Sequence, residues 1–201
     1  MSSRQIKLTE VIKLEEGGKK LKQWPIAIDP LAVIVNSSNP ISKITKSELE
    51  GIFTGKITNW KQLGGPDLKI IVYTRESSSG TYEYFKEHVL DKKEYTAKAL
   101  SMNTNTSTVQ SISQTPGAIG YVGFVYVNKK VKALQVSFDN KIYISPTVTN
   151  AKNNTYPITR SLFFYNIDKD GKKLFPFYSY VLSKDGQTMV SLTGFIPIKK
   201  F

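Results

Sequence analysis

The chain has 201 residues, 40% of them hydrophobic and 22% charged, proportions that exclude a collagen, a coiled coil and a wholly disordered chain. Its 28 Lys and Arg against 16 Asp and Glu leave a net charge of +12, which points either to an anionic partner (nucleic acid, an acidic membrane face, a small anion) or to a lysine-rich solvated surface. Zero cysteines remove disulfides, zinc ribbons and thiol catalysis together, and no apolar run approaches the roughly 18 residues a bilayer-crossing helix needs.

Length alone fits one domain or two small lobes. No signal peptide opens the chain, because Ile6-Lys7-Leu8-Thr9-Glu10 is not an apolar h-region. Residues 5–23 are charged and mixed and predict an exposed helix ending at Gly17-Gly18. The β-branched run from Ile26 to Asn36 predicts a buried strand stopped by Ser37-Ser38-Asn39-Pro40. A short helix follows over Ser47–Phe53, closed by Thr54-Gly55, and a second strand over Leu68–Tyr73 runs into the loop Thr74–Ser79. From Gly80 to Leu90, Tyr82, Phe85 and Val89 share one apolar helix face. The Asn/Thr/Ser-rich stretch 101–110 caps a short helix, and Pro116-Gly117 turns into a buried strand over Ala118–Val122. A strand over Tyr156–Tyr165 and a long C-terminal helix beginning at Phe175 complete the series, with Gly194–Ile198 packing the end back down. Strands alternating with helices predict an α/β architecture.

The strongest candidate site is Arg75-Glu76-Ser77-Ser78-Ser79-Gly80-Thr81, set between an apolar strand and an amphipathic helix. A helix N-terminus presents unpaired N–H groups and a partial positive charge. Ser79 and Thr81 add hydroxyls, Gly80 permits close backbone approach, and Arg75 offers a planar fork for an oxyanion. Together these residues make a tetraoxyanion cradle. The same residues also fit a serine N-cap after a turn, with Arg75 in a surface ion pair.

The GxxxxGK[ST] spacing of a nucleotide P-loop is absent, so binding without turnover fits better. His88 is the single histidine, mid-helix beside Glu87, and reads as a surface or packing residue rather than a triad member. With one histidine and no cysteine, only an all-oxygen metal site is open, and no Asp/Glu cluster has EF-hand spacing. Tyr82, Tyr84 and Phe85 beside basic residues suit a nucleic-acid patch less well than a core face. No hydrolase or transferase can be assembled, because no nucleophile–base pair is present, and no cofactor is expected.

The stretch from Ile41 to Asp67, containing Gly55-Lys56-Ile57-Thr58-Asn59-Trp60, resembles the phosphate-binding proteins of phosphate ABC transporters, the PstS family. Arg75–Thr81, Gly117-Ala118-Ile119-Gly120-Tyr121, Tyr156-Pro157-Ile158-Thr159-Arg160 and Gly194-Phe195-Ile196-Pro197 follow in the family's order, and the similarity covers roughly residues 24–201.

The resemblance implies an α/β, two-lobed periplasmic-binding-protein-like fold with one complete and one truncated lobe: residues 1–36 and 150–201 as a partial first lobe, 37–149 as the second. By motif match it assigns phosphate contacts to Arg75, Ser79, Gly80 and Thr81. Ser2-Ser3-Arg4 is similar to a later first-lobe segment, which makes Ser3 and Arg4 the first-lobe contacts, at a terminus where chains are usually poorly ordered. Family members carry a Gly-Ser/Thr loop earlier in the first lobe that this sequence does not contain. Where members have Ser-Asp, the carboxylate accepts the proton of monoprotonated phosphate; Arg4 cannot, and Glu76 is the stand-in. The implied function is non-enzymatic binding of inorganic phosphate at the cell surface or in the periplasm, with ABC-transporter membrane subunits as partners. The alternative is a family member without a closed site that serves as an oligomeric interaction module, a second copy or separate chain covering its first lobe.

Overall fold

A computed structural model describes residues 2–167, 169 and 171–198 of the chain. Its backbone clusters into two units, Met1–Asp29 with Arg160–Phe201, and Pro30–Thr159.

The larger unit is built on a mixed sheet whose strands, in order across it, are β4 (Leu100–Met102), β3 (Ile71–Arg75), β5 (Ala118–Gly123), β1 (Leu21–Asn36) and β6 (Val131–Ala133). Strand β1 spans Leu21–Asn36, longer than its β-branched run. From Leu31 to Val35 every residue is fully buried, because the strand lies between β5 (Ala118–Gly123) and β6 (Val131–Ala133), antiparallel to both. A continuous apolar run is the sequence mark of a strand covered on both faces. Its end is tied down by Asn36, whose Nδ2 donates to the carbonyls of Ile112 and Ser113 (2.9 and 3.0 Å).

The short helix α2 covers Lys46–Thr54 after the three-residue strand β2 (Lys43–Thr45). Thr45 and Glu48 form its capping box, and Gly55 ends it at φ 85°, a left-handed conformation that glycine adopts without strain. Asn59 then caps a 3-10 turn over Trp60–Leu63, its Oδ1 accepting from the Lys61 N–H at 2.9 Å. Trp60 is fully buried and its Nε1 donates to the Gly117 carbonyl at 3.0 Å. A Cβ on Gly117 would lie 2.2 Å from the Lys69 carbonyl oxygen, so the turn that receives the indole admits no side chain. Much of the Gly55–Trp60 block is thus cap and core. Trp60→Ala is expected to cost about 3–5 kcal/mol of stability, read as a fall in the urea midpoint.

Strand β3 (Ile71–Arg75) begins and ends later than the apolar run predicts, because Leu68 and Ile70 are occupied pairing with the Thr58–Trp60 segment. It runs parallel to β5 on one side and to β4 (Leu100–Met102) on the other. Helix α3 (Gly80–His88) follows β3, and α4 (Asn105–Gln114) follows β4. On α3 the buried side chains are Thr81, Tyr84 and Phe85, while Tyr82 is half-buried and packs against Tyr95 with the rings tilted by 31° and their centroids 4.4 Å apart. Tyr84 is drawn inward because its hydroxyl donates to the Thr159 carbonyl at 2.7 Å. His88 is exposed at the end of α3 with its ring stacked on Tyr84 at 4.0 Å, a packing role. Phe53, Phe85 and Tyr121 form the aromatic centre of this unit, Phe85 and Tyr121 stacked at 4.0 Å. Strand β7 (Gln135–Ser137) pairs in parallel with β2, and α5 (Val148–Lys152) precedes the return of the chain.

In the smaller unit, α1 covers Leu8–Glu16. It ends at Gly17-Gly18 as the sequence predicts, Gly18 turning left-handed (φ 67°) before Leu21 begins β1, and it starts only at Leu8, behind the Lys7 cap. Strand β8 (Thr159–Ile167) pairs with β1. The C-terminal helix is two helices, α6 (Gly171–Val181) and α7 (Lys184–Leu192). The break falls where Ser183 caps α7, its Oγ accepting from the Gly186 N–H at 3.2 Å. Trp24 stacks on Tyr178 at 4.8 Å and donates to Asn166 Oδ1 at 2.8 Å. The end does fold back: Ile28 and Ile196 exchange backbone hydrogen bonds of 2.8 and 3.0 Å, and Ile196 is buried. Among the described residues no helix is long and apolar enough to cross a membrane.

Candidate anion-binding site

Because β3, β4 and β5 run parallel, α3 and α4 start beyond the carboxyl ends of neighbouring strands, the edge at which open α/β sheets take ligands. Arg75 is the last residue of β3. Ser79 is the N-cap of α3, with Gly80 and Thr81 its first two residues. The loop closes through Ser79 N–H to the Glu76 carbonyl at 2.9 Å, and Ser79 Oγ accepts from the Thr81 N–H at 3.2 Å. Arg75, Ser79, Gly80 and Thr81 therefore stand on one strand–loop–helix junction. Ser77 and Ser78 are exposed, and so is Glu76.

Among the described residues Arg75 forms no surface ion pair of the kind its loop position also suited. Its Nε donates to the Met102 carbonyl at 3.1 Å, one terminal nitrogen to Asn105 Oδ1 at 3.2 Å and the other to the Asn103 carbonyl at 2.7 Å. All three partners are neutral oxygens from the turn between β4 and α4, so the half-buried guanidinium is fixed in direction while its charge stays uncompensated by them. Asn105 is the first residue of α4, behind the Thr104 cap. The Asn/Thr/Ser-rich composition of 101–110 marked the cap, but nothing local in it marked Asn103 and Asn105 as holders of Arg75.

A buried tyrosine relay braces the junction from behind. Thr74 Oγ1 and the Tyr121 hydroxyl are 2.8 Å apart, Tyr121 and Tyr95 hydroxyls 2.8 Å, and Tyr95 donates to the Tyr82 carbonyl at 3.1 Å. The residue before Arg75 is thereby linked to the first turn of α3. Burial pushes the Tyr121 phenol up to about 12 and raises Tyr95 further, so both stay protonated donors across the physiological range.

Ser3 and Arg4 lie in the smaller unit, in a bend held to β8. Ser2 and Phe163 exchange backbone hydrogen bonds of 2.8 and 2.9 Å, which pins a terminus where disorder is the usual outcome. Ser3 is partly buried. Arg4 grips Glu10 with both terminal nitrogens at 2.8 Å. The Arg4 hydrogen bond, ahead of the Lys7 N–H, lowers the Glu10 carboxyl from 4.5 to about 2. A carboxyl lowered in the folded state contributes stability above its unfolded value, and that contribution is lost as pH falls from about 4.5 through about 2. The wild-type chain is therefore expected to lose more stability than Glu10→Gln over that window in acid-titrated denaturation.

The chain matches the model of the PBP superfamily domain over residues 1–185. It is 33% identical to the phosphate-binding protein PstS of Borreliella burgdorferi over 208 residues, covering 99% of this chain and 72% of that protein. The chain belongs to the PstS family. It is also 36% identical to protein SphX of Synechococcus elongatus, over 98% of this chain and 62% of that one. With PstS of Staphylococcus epidermidis it shares 35% identity over 92% and 59%. The chain thus spans about three fifths of the length of these two curated relatives. Among solved structures, a Clostridium perfringens protein with bound phosphate superimposes with TM-score 0.84 at 32% identity, covering 98% of this chain and 78% of that one. The ABC-type phosphate transport receptor of Vibrio cholerae gives TM-score 0.82 at 30% identity, covering 97% and 78%. The α/β, periplasmic-binding-protein-like fold expected for PstS relatives is therefore the fold of this chain. Among its described residues no group of three or more His, Asp or Glu could hold a metal ion.

Proposed function

We propose that the chain binds inorganic phosphate without chemical turnover, as a solute receptor serving the membrane subunits of a phosphate ABC transporter at the cell surface or in the periplasm. One observation carries the reading: Arg75 is aimed by three neutral oxygens and carries its charge to the helix-start edge of the sheet. A guanidinium has five N–H donors, and those contacts use three, which leaves two for an oxyanion. The Ser79 and Thr81 hydroxyls and the Gly80 backbone, at the start of α3, stand beside Arg75 in the field of the helix dipole, while the Ser79 and Thr81 N–H groups close the loop and cap the helix.

Ser3 and Arg4 are the remaining donors in this reading, and they rest on the resemblance of Ser2-Ser3-Arg4 to the family's first-lobe segment. The lobes are residues 1–36 with 150–201, a partial first lobe, and 37–149. With Arg4 on Glu10 and Glu76 exposed, the described residues of the Arg75–Thr81 loop hold no inward carboxylate to accept the phosphate proton, so discrimination against sulfate is expected to be weak. Calorimetric titration with phosphate and then sulfate tests the reading. Heat from phosphate supports it, with sulfate within about tenfold in affinity, and no heat at millimolar phosphate overturns it.

A second reading draws on α6, where Phe175, Phe177 and Tyr180 are 62, 48 and 55% exposed. Large aromatics clustered on one surface helix mark an interaction face. In this reading the chain is an oligomeric interaction module, and a second copy covers α6. Light scattering decides it: a dimer dispersed by Phe175→Ser supports the module, and a monodisperse monomer removes it.

A further inference from the structure

The larger unit holds a second concavity, formed where the sheet edge is left open between two covering segments. On one side, residues 57–59 cover the start of β3, through Trp60 N–H to the Leu68 carbonyl at 2.9 Å and Ile70 N–H to the Thr58 carbonyl at 2.8 Å. On the other, β4 begins pairing with β3 only at Tyr73, opposite Leu100. Ile71 and Val72 pair with β5 alone among the described ladders, and a cleft of about 560 Å3 opens beside them. That volume lies in the range of small-molecule sites, about 300–1,000 Å3.

The walls are held by main-chain bonds. Thr96 N–H donates to the Phe53 carbonyl at 2.8 Å, and Ile57 N–H to the Gly51 carbonyl at 2.9 Å. A Cβ on Gly55 would sit 2.9 Å from Thr96 Oγ1, so the glycine that ends α2 also lets the two walls meet at the base. The floor is aliphatic, with Ile52, Ile70 and Val72 all under 8% exposed. The rim is cationic: Lys69 and Lys98 are both exposed, neither forms an ion pair among the described residues, and the described lining holds no carboxylate. An aliphatic floor under two unneutralised ammonium groups matches a molecule with an apolar body and one anionic head.

We propose that this cleft is a second ligand site, taking a small amphiphilic carboxylate with its chain on Ile52, Ile70 and Val72 and its head between Lys69 and Lys98. Apolar burial supplies the affinity and the paired cations orient the ligand. The site is independent of the phosphate reading, since its residues lie at the opposite end of β3 from Arg75.

Titration of the full chain with sodium octanoate, followed by calorimetry and methyl NMR shifts, tests the proposal. Expected are saturable shifts of the Ile52, Ile57, Ile70 and Val72 methyls at roughly millimolar octanoate or below, affinity reduced about tenfold or more in Lys69→Glu/Lys98→Glu, and about tenfold for octanol, each tenfold being about 1.4 kcal/mol. Added phosphate leaves these shifts unchanged. Thr58→Trp, which fills the mouth, abolishes them, and the surface double-lysine variant keeps the test alive if that substitution impairs folding. Absence of methyl shifts at 10-fold higher octanoate (roughly 10 mM), octanoate shifts confined to the α6 aromatics, or unchanged affinity in the double-lysine variant would each overturn the proposal.

Discussion

In the proposed reading, Arg75→Met is expected to weaken phosphate binding roughly 10²- to 4 × 10³-fold, the largest functional effect of any single substitution in the chain. A truncated charge pair of this kind costs about 3–5 kcal/mol, and each tenfold is about 1.4 kcal/mol. Met keeps most of the aliphatic stem, so the loss isolates the charge. Arg75→Lys should recover only part of the affinity, because the three N–H groups of an ammonium cannot hold the Met102 and Asn103 carbonyls and Asn105 Oδ1 and still leave two donors for an oxyanion. Isothermal titration of the two variants beside wild type checks this, with circular dichroism confirming the fold. A secondary effect is expected in Asn105→Ala, which releases one of the three tethers.

A stability effect as large as that of Trp60→Ala is expected at Arg160. Its Nε and a terminal nitrogen lie 3.1 and 2.8 Å from Asp29 Oδ2, and both side chains are only 6% exposed. Burial raises the Asp29 carboxyl while Arg160 opposes the rise, so the carboxylate depends on its partner to remain charged. Removing Arg160 alone strands a buried acid: Arg160→Met is expected to cost about 3–5 kcal/mol, and Asp29→Leu/Arg160→Met to recover most of it. Urea unfolding of the two variants separates stranding from packing. A single variant as stable as wild type would show that the pair contributes nothing.

The site was legible in the sequence where its signal is local. Ser79-Gly80-Thr81 reads as a helix start because a small hydroxyl residue precedes an amphipathic run, and the helix starts there. Gly55 reads as the end of α2 because a glycine takes the left-handed turn without strain, and the helix ends there. What the sequence withheld was pairing over distance. Asn103 and Asn105 reach Arg75 only because β4 lies beside β3, and β4 is three residues long, too short for any periodicity to declare it. Asp29 and Arg160 are 131 residues apart, and neither is unusual among its neighbours. The Tyr95–Tyr121 relay is hidden likewise, since Tyr95 sits in an irregular segment after α3 and looks like any exposed loop tyrosine. The sequence predicts one long C-terminal helix from Phe175, and the structure has two, α6 and α7. The break comes from a cap, backed by Gly186, where a Cβ would lie 2.1 Å from the Tyr180 carbonyl oxygen.

The central claim is that phosphate is held at the junction of β3 and α3. Backbone 15N–1H spectra of the full chain, recorded through a phosphate titration, test it residue by residue. Saturable shifts of the Ser79, Gly80 and Thr81 amides and of the Arg75 Nε–H are expected, the amide shifts being lost in Arg75→Met. Phosphate-dependent shifts that leave those four signals in place would contradict it, whatever heat the titration releases.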